Sequence, residues 1–275
     1  MTTLSVLMCV YAKDEDEAFS EALDSLINNK QFIDYLILVI NGPISEKKRS
    51  KIKCTKNFLI IKEIKLNKNL GISKALNFGL REVDTDWIVR FDSDDICLKD
   101  RFKLIKQKIL ENDNNYDVMG TYIEEFNLKT NTNKIRKVPL SYKNIKRNLI
   151  FSNPMNHVSV FFKSSLINEF KEDNFYPLID GFEDYALWFK LIYFKKKFKN
   201  FPIVTVLVRT DEKMLERRGG IKYILNEIRF RFFVIQYISF LQIPINLIFA
   251  ICRVIVFASP RDLRKIFYRI KRSNF

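Results

Sequence analysis

The chain has 275 residues and sets 47 Lys and Arg against 32 Asp and Glu, a formal net charge of +15. Hydrophobic residues make up 47% and Gly and Pro number only seven each, which excludes a disordered or collagen-like chain. A chain of this size buries a core without disulfides or metals as staples, and the positive balance calls for an anionic partner: nucleic acid, anionic lipid or a phosphorylated substrate. The four cysteines (Cys9, Cys54, Cys97, Cys252) are far apart and form no CxxC pair. Their spacing argues against a zinc site or a secreted disulfide scaffold and fits a reducing compartment. The residues Met1–Ser5 lack the basic n-region of a signal peptide.

The first 120 residues alternate strand-like and helix-like segments. Ser5–Tyr11 is a short apolar run of β-formers. Glu17–Asn29 follows with Phe19, Ala22, Leu23, Leu26 and Ile27 at helical spacing, and Asp14 or Asp16 is placed to cap it. Tyr35–Ile40 reads as a second strand, stopped by Asn41-Gly42-Pro43, and Phe58–Leu66 as a third. Ser73–Arg81 is a predicted helix, Trp87–Phe91 a fourth strand and Lys99–Glu111 another helix. This alternation predicts βαβ units and a mostly parallel sheet, whose ligands bind beyond the carboxyl ends of the strands.

Farther on, Val118–Phe126 and Lys134–Val138 read as a hairpin or edge strand, Val158–Phe162 as a strand, Glu183–Phe194 as a helix and Ile203–Val208 as a final strand. The charge is concentrated beyond this point. From Arg217 to the end the chain gathers about +10 of its +15, opposed only by Glu227 and Asp262. Phe232–Cys252 holds no charged residue over about 21 positions, the length of a membrane span. Gln236, Gln242, Pro244 and Asn246 interrupt it, and Pro244 is expected to kink or split a helix there. Arg229, Arg231 and Arg253 border it, and Arg261–Arg272 is a second basic amphipathic stretch. Two helices lying in the inner-leaflet interface, a span, and a helical cap or dimer surface all answer to this pattern; the flanking charge favours the first. The expected organisation is one domain over 1–215 and a helical, membrane-associating segment over 216–275.

Trp87-Ile88-Val89-Arg90-Phe91 runs directly into Asp92-Ser93-Asp94-Asp95. Three carboxylates in four residues at the end of a buried strand repel one another, and burying them unpaired is costly. A hard divalent cation relieves that repulsion, since Mg²⁺ and Mn²⁺ take one or two carboxylates together with substrate phosphates. The other reading is an acidic turn whose Asp95 or Asp100 caps the following helix.

The first strand's Tyr-Ala end, the run Asn69-Leu70-Gly71-Ile72-Ser73-Lys74-Ala75-Leu76-Asn77-Phe78-Gly79, the Arg90–Asp95 segment and Glu183-Asp184-Tyr185-Ala186-Leu187-Trp188 occur in one order. Together they resemble glycosyltransferase family 2, over about residues 4–210. Gly120–Phe126, Arg136–Leu140 and Glu216–Gly220 are similar to its bacterial exopolysaccharide and capsule transferases of the amylovoran type. The resemblance implies an α/β GT-A fold, a Rossmann-like mixed sheet flanked by helices. It implies an inverting, metal-dependent transfer of a sugar from a nucleotide-diphosphate donor, UDP-linked by expectation, to a glycan or lipid-linked oligosaccharide.

On that resemblance Asp184 is the base and Glu183 orients substrate. Tyr11, Ala12, Asp14, Asn41, Lys74, Asp92, Ser93, Asp94, Asp95 and Arg209 face the nucleotide sugar. Asn41 stands where many members carry Asp, and Asn41-Gly42-Pro43 also reads as a plain turn. Gly71 and Gly79 are read as structural, and the acidic pair at Glu183 also suits a helix dipole. Asp94 and Asp92 are the expected Mn²⁺ or Mg²⁺ ligands. His157, the only histidine, is either a metal-side residue or a structural one, and Arg209, Arg217 and Arg218 offer forks for a diphosphate. The partners implied are the donor, the acceptor and an anionic membrane surface at the cytoplasmic face, with no nucleic acid. A catalytically inactive scaffold of a polysaccharide-synthesis complex and a basic nucleic-acid-binding protein are the rival classes.

Overall fold

A computed structural model describes residues 2–112, 115–127, 132–170, 174–210 and 220–259. The elements in chain order begin β1 (Leu4–Val10), α1 (Asp16–Ile27), β2 (Tyr35–Asn41), α2 (Glu46–Thr55), β3 (Ile61–Leu66) and α3 (Ile72–Leu80). They continue β4 (Trp87–Arg90), β5 (Ile96–Cys97), α4 (Arg101–Asn112), β6 (Val118–Asn127), β7 (Thr132–Arg136) and α5 (Tyr142–Asn148). The remainder are β8 (Phe161–Lys163), α6 (Ser165–Glu169), α7 (Glu183–Tyr193), β9 (Phe198–Arg209), α8 (Ile221–Ile235) and α9 (Ile243–Ala258).

The described strands form one nine-stranded sheet in the order β3-β2-β1-β4-β8-β6-β9-β5, with β7 paired to β6. Its first four strands are parallel, as the strand–helix alternation predicts. The second half turns antiparallel at β4–β8 and β8–β6, keeps one parallel pair at β6–β9, and ends antiparallel at β9–β5. β1 is buried on both faces, so its alternate side chains feed two cores. Leu7 and Cys9 pack with α3 and α7 on one side, and Val6, Met8 and Val10 with α1 and α4 on the other. Cys9, Cys54, Cys97 and Cys252 are all free thiols. Burial pushes Cys9 and Cys97 up to about 12, which makes both inert packing groups.

Several local expectations are corrected. Neither Asp14 nor Asp16 caps α1: Asp14 accepts from Tyr11 N and Ser93 Oγ, and Asp16 is claimed by Ser45 and Lys48. Residues 58–60 stay outside β3, and residues 157–159 form a 3₁₀ turn ahead of a shorter β8. The helix α2 went unpredicted because its charged sequence hides a single buried stripe of Lys48, Ile52 and Thr55. Pro244 does not kink α9. It occupies the first turn, where a missing N–H costs nothing.

The loop ahead of α7 is held from a distance. The buried Asn77 side chain on α3 donates to Tyr176 O at 2.8 Å and accepts from Tyr176 N at 2.9 Å. Ser73 Oγ donates to Asp180 at 3.0 Å, and Asn226 of α8 donates to Asp180 O at 3.0 Å. Gly71, at φ +86°, lies so close to Asp180 that a Cβ would sit 2.4 Å from its carboxylate. Removing Asn77's amide leaves two buried backbone groups unpaired, each worth roughly 1–3 kcal/mol. Asn77→Ala is therefore expected to destabilise the fold by about 2–4 kcal/mol, read as a lower urea midpoint with an unchanged slope.

Candidate active site

The acidic turn sits where β4 leaves the carboxyl edge of the parallel strands, beside the ends of β1 and β2. Asp92 and Asp95 have different supports. Buried Arg90 reaches forward to Asp92 and to Phe91 O. Arg101, buried behind it, donates to Arg90 O and Val158 O, both at 2.8 Å, and fixes the strand end. Asp95 is buried and accepts from Arg209 N at 2.9 Å, so it anchors β9 and does not cap α4. Burial first, then the charges of Asp94 and Asp92, raise the Asp95 carboxyl well above the usual carboxylate range.

Ser93 Oγ donates to Asp14 at 2.8 Å, and Tyr11 N donates to the same Asp14 oxygen at 3.0 Å. The predicted residues after β1 are thereby locked to the acidic turn, with Ala12 exposed at the turn's tip. Burial raises Asp14 as well. Arg209 donates its Nε to Asp94 O at 3.1 Å and an Nη to Glu21 at 2.6 Å, which clamps the turn from the last strand. Asn41 is buried at the end of β2. Its amide accepts from Leu70 N at 2.9 Å and donates to Asn69 Oδ1 at 3.1 Å, holding the loop into α3. Lys74 is exposed on the first turn of α3, away from the residues lining the main cleft.

That cleft, of about 370 Å³, brings Asp92, Asp95 and His157 together with Asp184. Asp184 lies in the first turn of α7, where Tyr185 N donates to one carboxylate oxygen at 2.7 Å and Asn153 Nδ2 to the other at 2.6 Å. Glu183 is buried and accepts from Gly181 N at 2.7 Å. Burial, then the neighbouring Asp184 charge, pushes Glu183 up to about 8. His157 is held well below its ordinary value by burial and by the Arg90 charge, so the imidazole is neutral at pH 7. Its Nε2 pairs with Tyr176 Oη at 3.0 Å and its ring stands edge-on to Trp188, contacts that favour a positioning role.

Among the described residues no group of three or more His, Cys, Asp or Glu is placed to hold a metal ion by itself. The crowding of Asp92, Asp94 and Asp95 nevertheless suits a hard cation that completes its shell with substrate phosphates. Arg217 and Arg218 lie outside the described residues, as does the 215/216 boundary. Sequence reasoning missed Arg90's support of Asp92, Asn153's hold on Asp184, and the contribution of Tyr223 and Arg253 to the cleft. Only Asn153 had a signal, in the polar turn before His157.

The family model for glycosyl transferase family 2 matches residues 5–170, and the chain belongs to that family. It is a glycosyltransferase. Over 267 residues it is 33% identical to the Escherichia coli UDP-Gal:alpha-D-GlcNAc-diphosphoundecaprenol beta-1,3-galactosyltransferase, covering 96% of this chain and 94% of that one. It is 31% identical to the amylovoran biosynthesis glycosyltransferase AmsE of Erwinia amylovora, covering 82% and 83%. Its fold is similar to S. aureus TarS 1-349 in complex with UDP-GlcNAc, with a TM-score of 0.67, 16% identity, and 92% and 72% of the two chains covered. The mannosyltransferase PcManGT of Pyrobaculum calidifontis, solved with GDP-Man and Mn2+, matches with a TM-score of 0.59 at 14% identity, covering 82% and 64%.

The Glu183 carboxyl has a testable linkage. Its folded value of about 8 lies above the ordinary 4.5, so across that window the native state holds a proton that the unfolded chain releases. This group's contribution to stability therefore falls as pH rises from about 4.5 to 8. Glu183→Gln should gain stability relative to wild type over the same window, measured by urea unfolding at pH 5, 6.5 and 8.

Proposed function

We propose that the protein is an inverting, metal-dependent glycosyltransferase. It moves a sugar from a UDP-linked donor to a lipid-diphosphate-linked glycan in cell-surface polysaccharide biosynthesis. The observation that carries this reading is the shared cleft. Asp92 faces it from the end of β4, and Asp184, doubly anchored, faces it from α7. The E. coli and E. amylovora relatives support the acceptor class and the pathway type.

In the transfer, the acceptor hydroxyl oxygen attacks the anomeric carbon from the side opposite the diphosphate. The bond from that carbon to the diphosphate oxygen breaks, its electron pair leaves with the nucleoside diphosphate, and the hydroxyl proton passes to the Asp184 carboxylate. One displacement inverts the configuration. Asn153 and the Tyr185 N–H each donate to one Asp184 oxygen and fix the orientation of the carboxylate. Glu183, protonated near neutrality, adds no second negative charge beside it.

Asp92 and Asp94 would hold Mn²⁺ or Mg²⁺, whose chemistry is to neutralise charge on the departing diphosphate. Asp14, Tyr11 and Ser93 form the nucleoside side of the site, with the loop held by Asn41 next to it. Residues 1–215 carry the catalytic domain. The segment 216–275 holds the enzyme on the cytoplasmic face of the membrane. Phe240–Ala258 is long and apolar enough to cross a membrane, and Phe240, Leu241, Ile248, Ile251 and Ile255 on it are exposed. Buried polar contacts tie α9 to α8, which supports an in-plane helix over a crossing one.

Asp184→Asn is expected to lower the transfer rate by about 10²–10⁴-fold with an unchanged circular dichroism spectrum. Asp94→Asn should do the same and should abolish recovery by Mn²⁺ after EDTA treatment. Full activity in either variant, or activity indifferent to EDTA, overturns the assigned roles. A hydrolysis screen over UDP- and GDP-sugars identifies the donor.

A further inference from the structure

Basic residues also line the cleft, together with the buried Glu125. Lys134, Arg136 and Lys137 line it from the β7 hairpin and its exit, and Tyr223 and Arg253 line it from α8 and α9. Arg253, half-buried, joins two buried residues in a trio. Glu227 of α8, fully buried, accepts from Arg231 Nε at 2.8 Å and from Arg253 Nε at 3.1 Å. Two guanidinium groups thus share one carboxylate, and the trio carries a net charge of +1. Arg231 is further held by Asn246 Oδ1 and Ile150 O, and its remaining Nη2 is buried with no hydrogen-bond partner among the described residues.

The position of Arg253 on α9 gives it a use. At 100° per residue, Arg253 falls on the same side as Asn246 and Phe257, which are buried, and opposite Ile248, Ile251 and Ile255, which are exposed. A helix is about 10 Å across with its side chains. Laid with its apolar arc in the acyl boundary, α9 lifts its opposite side to the height of lipid phosphates. Tyr185, next to Asp184, lies within electrostatic range of both Arg253 and Asp184. Arg253 and Asp184 line the same cleft.

We propose that Arg253, with Lys137 of the same cleft, forms the subsite for the diphosphate of the lipid-linked acceptor. The donor's diphosphate keeps to the Asp92–Asp94 end. The inference rests on the lipid-linked acceptor reading above and adds to it the residue that recognises the linkage between lipid and sugar. Arginine suits that task because its fork meets two phosphate oxygens at once.

The test uses the full chain in detergent, with farnesyl diphosphate, farnesol and UDP plus Mn²⁺ as separate calorimetric probes. Arg253→Gln should weaken farnesyl diphosphate about 10–100-fold and leave farnesol and UDP within about twofold of wild type. Arg253→Lys keeps the charge and should lose less, about 3–10-fold. Lys137→Gln, exposed and outside any helix or strand, cannot unfold the chain and should weaken the same probe about threefold. Unchanged farnesyl diphosphate affinity in Arg253→Gln and Lys137→Gln overturns the subsite. Loss of UDP in Arg253→Gln with farnesyl diphosphate retained moves Arg253 to the donor side and overturns it too. A wild type that binds UDP but prefers farnesol to farnesyl diphosphate overturns the inference alone. A wild type that does not bind UDP overturns the donor reading, which the farnesyl probes do not touch.

Discussion

Three carboxylates forced together at the end of a buried strand set the terms for the rest of this molecule. Asp92, Asp94 and Asp95 cannot all be ionised, close and dry without partners. The fold gives Asp92 and Asp95 distinct neighbours. Arg90 rises from the strand itself to meet Asp92, Arg101 locks the backbone behind it, and β9 brings its Arg209 N–H to Asp95. Asp95 then serves as structure, its carboxyl kept protonated more readily by burial, while Asp92 faces the cleft. The arrangement converts a local electrostatic cost into a preorganised anionic edge, the kind of site that a hard cation and a diphosphate complete.

The second carboxylate depends on contacts distant in sequence. The loop carrying Asp180 and Glu183 is stitched to α3 through Asn77 and Ser73 and to α8 through Asn226. Asp184 itself is fixed by Asn153, thirty-one residues earlier. A carboxylate held by two hydrogen bonds keeps one geometry, where a mobile one samples several. The motif Asn69–Gly79 docks the loop ahead of Asp184. Gly71 is required there because its positive φ and bare Cα admit the Asp180 carboxylate.

The two C-terminal helices join this site to the excess positive charge of the chain. Glu227, Arg231, Arg253 and Asn246 form a buried polar seam between α8 and α9. Cutting such a seam would strand a buried charge, so α9 stays with the catalytic body. Its outward face is left apolar, and its inward face contributes to the cleft.

The parallel half of the sheet, the acidic turn after β4 and the pair Glu183–Asp184 were legible in the sequence, because each is written in consecutive residues or in a short period. The family followed from the order of those motifs. Several features were not legible. The antiparallel half joins strands that meet only after long connections, and α2 hides one buried stripe under charge. Pro244 looked like a break and proved to be a start, since the turn before it, absent from any periodicity, decides where the helix begins. The separate duties of Asp92, Asp94 and Asp95, the hold of Asn153 on Asp184, and the entry of Arg253 into the cleft were likewise decided only in three dimensions. Sequence determines which charges the chain carries; the pairing that makes one structural and another available to substrate depends on partners tens of residues away.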